Sequence, residues 1–248
     1  MEPDQPAPPA QDVFHQGGGA RYGLQRSLVA LKRRLVAEAT AAVQMLEDAI
    51  EALWALDHTA AREVRQADDN IDREEVAIEA ECIRLLTMQQ PVAGDMRRIT
   101  FIMKVNSEIE RVADHATSIA KTTSRISKLG TRPAWPTALR EMGERVPIMC
   151  HNLLRAVLDE DAQGARSVIA DDDVIDRLER QLFEEATSLM ELDEMDPATG
   201  LYIHRLGREF ERAADAMTNI AEDLLYLTTG QIMRHAHEEE PPSDRMPS

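Results

Sequence analysis

The chain contains an internal repeat, and this repeat constrains its fold more than any other feature. Residues 109–120 (IERVADHATSIA) and 210–221 (FERAADAMTNIA) share more than half of their letters at matching positions. An acidic segment precedes each copy, at residues 68–72 in the first half and 172–176 in the second. Because the same features recur in the same order about a hundred residues apart, we expect two pseudo-symmetric halves, each able to form a core of its own.

Each half carries two pairs of acidic residues, and the members of each pair are four positions apart. Residues four apart lie on the same face of an α-helix. Pro91 lies midway between the two pairs of the first half, and Asp196-Pro197 follows the midpoint of the second. A helical hairpin turning at these points would bring the pairs level. We therefore predict four converging carboxylates per half, from the following residues: Asp68, Asp72, Glu110, Asp114, Asp172, Asp176, Glu211 and Asp215.

Converging carboxylates repel one another unless a cation or a basic partner neutralises them. Sites built from carboxylates alone suit hard, oxygen-preferring ions such as magnesium, calcium, manganese or iron. The alternative interpretation is that the acids lie on solvated faces screened by neighbouring Lys, Arg and counterions. His115 follows one of the acids, and we expect it to be a surface or hydrogen-bonded residue rather than a ligand.

The apolar residues recur with helical periodicity along most of the chain. The pattern predicts helices over about 24–57, 60–88, 92–128, 136–159, 162–192 and 198–229. Gly130 is a predicted C-terminal cap, and Pro147 should kink the fourth helix or mark a restart. The predicted class is all-α, with three-helix bundles at 21–130 and 131–230 and disordered tails at 1–20 and 231–248. Buried Leu and Ile side chains should supply enough driving force for this fold to need no metal.

Composition excludes several classes of function. Twenty-eight Lys and Arg residues against 45 Asp and Glu give a net charge of -17, which argues against a nucleic-acid partner. No apolar run approaches 18 residues and no signal-like segment opens the chain, so we expect no membrane span and a cytoplasmic location. Cys82 and Cys150 are predicted to be reduced structural thiols.

Six elements in this order resemble the PhoU family. They are the QPVAGDMR turn at 90–97, the two Glu-Arg-x-Ala-Asp helices with their preceding acidic segments, and the Gly-Gln-x-x-Arg-His sequence at 230–235. The resemblance covers residues 22–235. It implies an all-helical, homodimeric regulator that represses the phosphate-starvation response and phosphate uptake by coupling a phosphate ABC transporter ATPase subunit to a sensor histidine kinase.

The resemblance also implies a metal-binding role for the eight acids, with iron or zinc at the acidic helix faces. Manganese and magnesium are further candidates by their preference for oxygen. The copies differ at one informative position, because Lys121 of the first copy corresponds to Glu222 of the second. A lysine ammonium competes for the space of a metal ion, so the second half is the better metal candidate.

The competing functional class is a carboxylate-bridged metal-binding helical-bundle enzyme or a metal-storage protein. Di-metal sites of that kind draw on Glu-x-x-His pairs from two helices. The residues three positions before the His residues of the predicted helices are Ala55, Val112, Ile148 and Leu201. The sequence also lacks a GxxxxGK[ST] phosphate-binding loop. We therefore predict that the chain is not an enzyme.

Overall fold

The computed structural model describes residues 16–89, 91–130 and 132–230, and it contains six α-helices with no strand in these ranges. The helices are α1 (Gln16–Ala55), α2 (His58–Gln89), α3 (Ala93–Ile126), α4 (Thr137–Asp159), α5 (Ala162–Glu191) and α6 (Pro197–Thr229). A short 3-10 turn, Ser127–Leu129, follows α3. The predicted all-α class is confirmed, and each predicted helix is present.

The helices form two three-helix bundles that pack against each other. In the first bundle α1 contacts α2 and α3, and in the second α4 contacts α5 and α6. The bundles meet mainly where α3 packs against α6, with a smaller contact between α1 and α4. The ion pair Lys104–Asp223 and the contact of Glu108 with Asn219 show that α3 and α6 run antiparallel. The helices α2, α3, α6 and α5 therefore form one layer, with α1 and α4 behind it.

The turns that join the first two helices of each bundle are equivalent. Leu56 and Glu160, 104 residues apart, both end their helix in the left-handed conformation, with φ of 53° and 52°. The next residue caps the following helix. Asp57 Oδ1 accepts hydrogen bonds from the amides of residues 59 and 60, and Asp161 Oδ1 accepts one from Gln163. The duplication thus extends to the backbone of the turns.

The other helix ends agree with the predictions in part. Gly130 and Gly230 adopt left-handed φ values of 76° and 73°, as expected of C-terminal caps. Of the two outcomes predicted at Pro147, a kink or a restart, the restart is wrong, because α4 runs through Pro147 as a single helix. Residues 16–20 were predicted to belong to a disordered tail, but α1 already begins at Gln16, since extending a packed helix costs little compared with starting one. The remaining predicted tails, 1–15 and 231–248, lie outside the described residues.

Candidate acidic site

The first acidic face lies between α2 and α3. Asp68 and Asp72 project from α2, and Glu110 and Asp114 from α3. Burial raises the pKa of Glu110 to about 7, and the charges of Asp114, Asp72 and Asp68 contribute to the rise. Burial also raises the pKa of Asp68, with further contributions from Asp72 and Asp114. Because these charges come from both helices, the acids of α2 and α3 lie within electrostatic reach of one another.

The second acidic face lies between α5 and α6 and repeats this arrangement. Burial raises the pKa of Asp172 to about 7, and the charges of Asp215 and Asp176 add to the effect. Burial raises the pKa of Glu211 and of Asp215 as well, with repulsion between these two residues and Asp176 as an additional cause. The four carboxylates of this half therefore also form one electrostatic group.

Two carboxylate oxygens of the second face are buried and accept no hydrogen bond of standard geometry. Asp172 Oδ1 and Glu211 Oε2 accept no hydrogen bond from any described residue. Arg208 Nη1 lies 3.4 Å from Glu211 Oε2, which is an ion pair outside hydrogen-bond geometry. A buried carboxylate oxygen without a donor costs free energy that a bound cation would recover. This observation agrees with the prediction that the second face is the better cation candidate.

Two threonines that the sequence analysis missed accompany the acids. The hydroxyl of Thr117 on α3 offsets part of the pKa rise of Asp68, and that of Thr218 on α6 does the same for Asp172. The two threonines are equivalent positions of the repeat, 101 residues apart. Their identity in both copies of the repeated motif was the signal that could have revealed them.

The donor set fits a hard cation, but the side chains are not yet in ligating positions. Eight carboxylates and two hydroxyls supply oxygen alone, which matches magnesium, manganese and iron better than zinc. Within the part of the chain that the structure describes, no three His, Cys, Asp or Glu residues are arranged to hold a metal ion. Coordination would therefore require the carboxylates to rotate toward one another, against their mutual repulsion.

A polar cavity of about 320 Å³ lies in the groove between α3 and α6, where the two copies of the repeat face each other. Equivalent residues of both copies line it, namely Arg111 with Arg212 and Asp114 with Asp215. Arg111 is 3.2 Å from Glu108 on its own helix. Asp114 of the first face and Asp215 of the second therefore both border a central groove that also carries two arginines.

One further acid, Glu38 on α1, was missed by the sequence analysis. Its side chain is 3% exposed, and burial raises its pKa to about 8, with the charges of Glu74 and Glu75 as further causes. The signal was present in the helical periodicity, because Glu38 falls on the apolar stripe that contains Leu35, Ala42 and Met45. A charged residue on such a stripe marks an interior acid.

None of the helices, over the ranges described, is long and apolar enough to cross a membrane. The chain consists of two related three-helix bundles, and each bundle carries one copy of the same acidic face. This arrangement defines a class of all-helical proteins with two related domains. A family model described as "PhoU domain" matches this chain twice, at residues 36–123 and 139–224, so that each match falls on one bundle. The chain belongs to the PhoU family.

Matches to named relatives cover most of the chain. It is 33% identical to the phosphate-specific transport system accessory protein PhoU homolog of Aquifex aeolicus over 215 residues, which are 86% of this chain and 96% of the relative. It is 30% identical to the phosphate-specific transport system accessory protein PhoU of Escherichia coli over 192 residues, which are 77% of this chain and 79% of that protein.

Solved structures agree with this assignment. The crystal structure of the phosphate transport system regulatory protein PhoU from Streptococcus pneumoniae superposes with a TM-score of 0.77 at 29% identity, covering 84% of this chain and 98% of the other. The structure of PhoU from Pseudomonas aeruginosa gives a TM-score of 0.71 at 30% identity, with 87% and 100% covered.

Proposed function

We propose that this protein is a cytoplasmic regulator of phosphate homeostasis that represses the phosphate-starvation response and phosphate uptake. In this role it couples a phosphate ABC transporter, through the ATPase subunit, to a sensor histidine kinase. The observation that carries the proposal is the pair of PhoU domains, one on each bundle, in a chain whose relatives are named accessory or regulatory proteins of phosphate transport.

The protein acts by binding rather than by catalysis in this proposal. A di-metal oxidase built in a helical bundle requires histidines three positions after glutamates. Among the described residues no histidine has a glutamate at that spacing, and the acidic groups lie on two helical faces. The function therefore depends on surfaces that change partner affinity, which is how an adaptor transmits the state of one protein to another. The adaptor works as a homodimer.

The two acidic faces are the metal-binding part of the proposal. The raised pKa values of both faces and the two buried oxygens of the second face that lack a hydrogen bond favour a bound cation. Bound metal would fix the carboxylates of neighbouring helices in one arrangement. Iron, manganese and magnesium match the all-oxygen donor set, and zinc matches it less well. Protein purified without chelator is expected to retain metal.

A reporter of the phosphate-starvation response at high phosphate tests the regulatory role. Deleting the gene for this chain should raise reporter output, and restoring the wild type should silence it. A variant with Glu110, Asp114, Glu211 and Asp215 all changed to Ala should fold and fail to silence. The matched control changes the exposed neighbours Asp69 and Asp173 to Asn and should silence as the wild type does.

The outcomes separate the parts of the proposal. Silencing by the four-residue variant would retain the regulator and reject a role for the acidic faces. Unchanged output on deletion would reject the regulatory function. Purification of the tagged protein at high and low phosphate tests the adaptor role, and failure to recover either the transporter ATPase subunit or a histidine kinase would contradict it.

A further inference from the structure

The first part of α1 is an addition to the repeated unit. At the offset of 104 residues between the equivalent turns, Thr137, where α4 begins, corresponds to Arg33. Helix α1 already begins at Gln16, and the matched PhoU domain starts only at residue 36. Residues 16–32, which we call the α1 extension, therefore form structure that has no counterpart in α4.

Two polar side chains hold the α1 extension against both bundles. Gln25 Nε2 donates a hydrogen bond to Asp95 Oδ1, in the first turn of α3, at 2.9 Å. Lys32 Nζ donates to the backbone carbonyl of Leu158 at 3.2 Å and to Glu160 Oε1 at 3.0 Å, at the end of α4. The extension therefore spans the space between α3 and the end of α4.

A cavity of about 320 Å³ lies beside the α1 extension. Clefts that bind small molecules measure about 300–1,000 Å³ and have mostly apolar walls with a few polar groups. This cavity has that composition, because its polar lining is limited to four side chains, which lie on the α1 extension, on α3 and at the end of α4. Its inner wall is apolar and consists of side chains from α1, α3, α4 and α6, namely Leu28, Leu35, Phe101, Ile102, Val157 and Leu227.

A second, smaller void of about 20 Å³ adjoins this cavity, and Leu35 and Val157 line both spaces. All side chains that line the smaller void are apolar, and they come from both bundles. A buried water molecule needs about two to four polar partners, and this void offers it no polar side chain. The inner end of the cavity therefore favours an apolar group over water.

The mouth of the cavity carries a cation whose hydrogen-bond donors are unused. Lys32 and Glu160 neutralise each other as an ion pair. Arg98 on α3 is half exposed, lies 3.9 Å from Asp95 Oδ1 and donates no hydrogen bond to any residue in the described ranges. Asp95 Oδ1 accepts its hydrogen bond from Gln25 instead. A guanidinium group with unused donors can bind a carboxylate or a phosphate in bidentate geometry.

We propose that this cavity is a binding site for a small amphiphile, a fatty acid or an alkyl phosphate, with its anionic head group on Arg98 and its unbranched tail between Leu28 and Phe101, directed toward Leu35. The cationic mouth selects an anion in a chain whose net charge is -17, and the apolar wall stabilises the tail by removing it from water. The lining includes none of the eight acids of the two acidic faces. The site is therefore separate from those faces, and it does not depend on the proposed regulatory function.

Calorimetric titration of the full chain with decanoate, below the concentration at which decanoate forms micelles, tests this inference. Wild type should bind one decanoate per chain. Decyltrimethylammonium, which has a tail of the same length and the opposite charge, should bind at least tenfold more weakly, and acetate, which lacks the tail, should give no heat of binding. Decyl phosphate compares the two head groups, and a preference for either anion supports the site.

Two variants test the wall and the mouth separately. Val29 lines the rim of the cavity and is 51% exposed, so Val29→Trp should block the entrance and abolish decanoate binding. Arg98→Gln should weaken decanoate binding at least tenfold and leave the binding of uncharged decanol unchanged, because only the anionic head group uses the guanidinium. The matched control is Arg125→Gln, which removes an exposed arginine of the same helix outside the cavity and should bind as the wild type does.

Both substituted side chains are about half exposed, so the two variants should unfold at the wild-type temperature. Equal decanoate affinity in wild type, Val29→Trp and Arg98→Gln would overturn the inference, as would equal binding of decanoate and decyltrimethylammonium. Decanoate binding that appears only after removal of residues 231–248 would assign the cavity to that segment of the chain and would also contradict a site for a free ligand.

Discussion

The His115 Nδ1 atom of the first bundle lies 2.9 Å from Glu209 Oε2 of the second. The His115 side chain is 16% exposed and that of Glu209 is 9% exposed, so this hydrogen bond is shielded from water. Because a carboxylate only accepts, Nδ1–H is the donor. The pair joins α3 to α6 at the contact between the two bundles, and it confirms that His115 is a hydrogen-bonded residue.

Replacing His115 with Ala should lower the free energy of unfolding by about 1–3 kcal/mol. It leaves the buried Glu209 carboxylate with Arg205, 3.6 Å away, as its one remaining partner in the part of the chain that the structure describes. The matched control is His151→Ala. His151 also contacts a glutamate across the bundles, Glu47 at 2.8 Å, but its side chain is 53% exposed. The control should cost about 0–1 kcal/mol in urea unfolding. Equal costs for the two variants would contradict the structural role of His115.

The stability of metal-free protein should decrease as pH rises, and Glu38 should account for part of the decrease. Its pKa is raised to about 8 in the folded state, so the folded protein holds a proton there that the unfolded chain releases near its ordinary pKa. The stability loss therefore begins above about pH 4.5, grows through the neutral range and is complete above pH 8.

Glu38→Met should consequently stabilise the metal-free protein more at pH 9 than at pH 5, by about 2–4 kcal/mol. Urea unfolding at the two pH values in the presence of chelator measures this difference. The control is Glu51→Met, which removes an exposed carboxylate of the same helix, and no pH-dependent gain in stability is expected from it. A stabilisation that is the same at both pH values would mean that Glu38 is not a buried acid.

Gly143 on α4 touches Trp54 of the first bundle, and an added methyl group has no room there. A Cβ at this position would lie 2.7 Å from the ring atom Cζ2 of Trp54, which is held edge-on by Trp135 at a centroid distance of 5.4 Å. Gly143→Ala should lower stability by about 1–3 kcal/mol despite the better helix propensity of Ala. Thermal unfolding measures this loss of stability. A rise in melting temperature would show that the Trp54 ring moves freely.

Metal content should depend on the acidic faces. Elemental analysis of protein purified without chelator and incubated with iron or manganese should find metal in the wild type and in the control with Asp69 and Asp173 changed to Asn. Changing Glu110, Asp114, Glu211 and Asp215 to Ala should remove most of it, because each face then loses two of its four carboxylates. Less than a small fraction of an equivalent in the wild type would reject metal binding.

The sequence was sufficient for the duplication, the six helices and the acid pairs. Periodicity and caps depend on residues close in the chain, so Pro91, Gly130 and the four-residue spacing could be interpreted without tertiary information. Pro147 does not restart its helix, because packing of α4 against its bundle outweighs the local cost of a proline.

The contact of α3 with α6, the pairing of His115 with Glu209 and the isolation of Glu38 required the tertiary structure. The residues of the histidine pair, for example, are 94 positions apart in the chain. No local sequence pattern encodes which two helices of the different bundles will contact each other. The apolar stripe of α1 already places Glu38 on the buried side of its helix, but only the packing of α1 against α2 and α3 leaves its two carboxylate oxygens without a hydrogen bond.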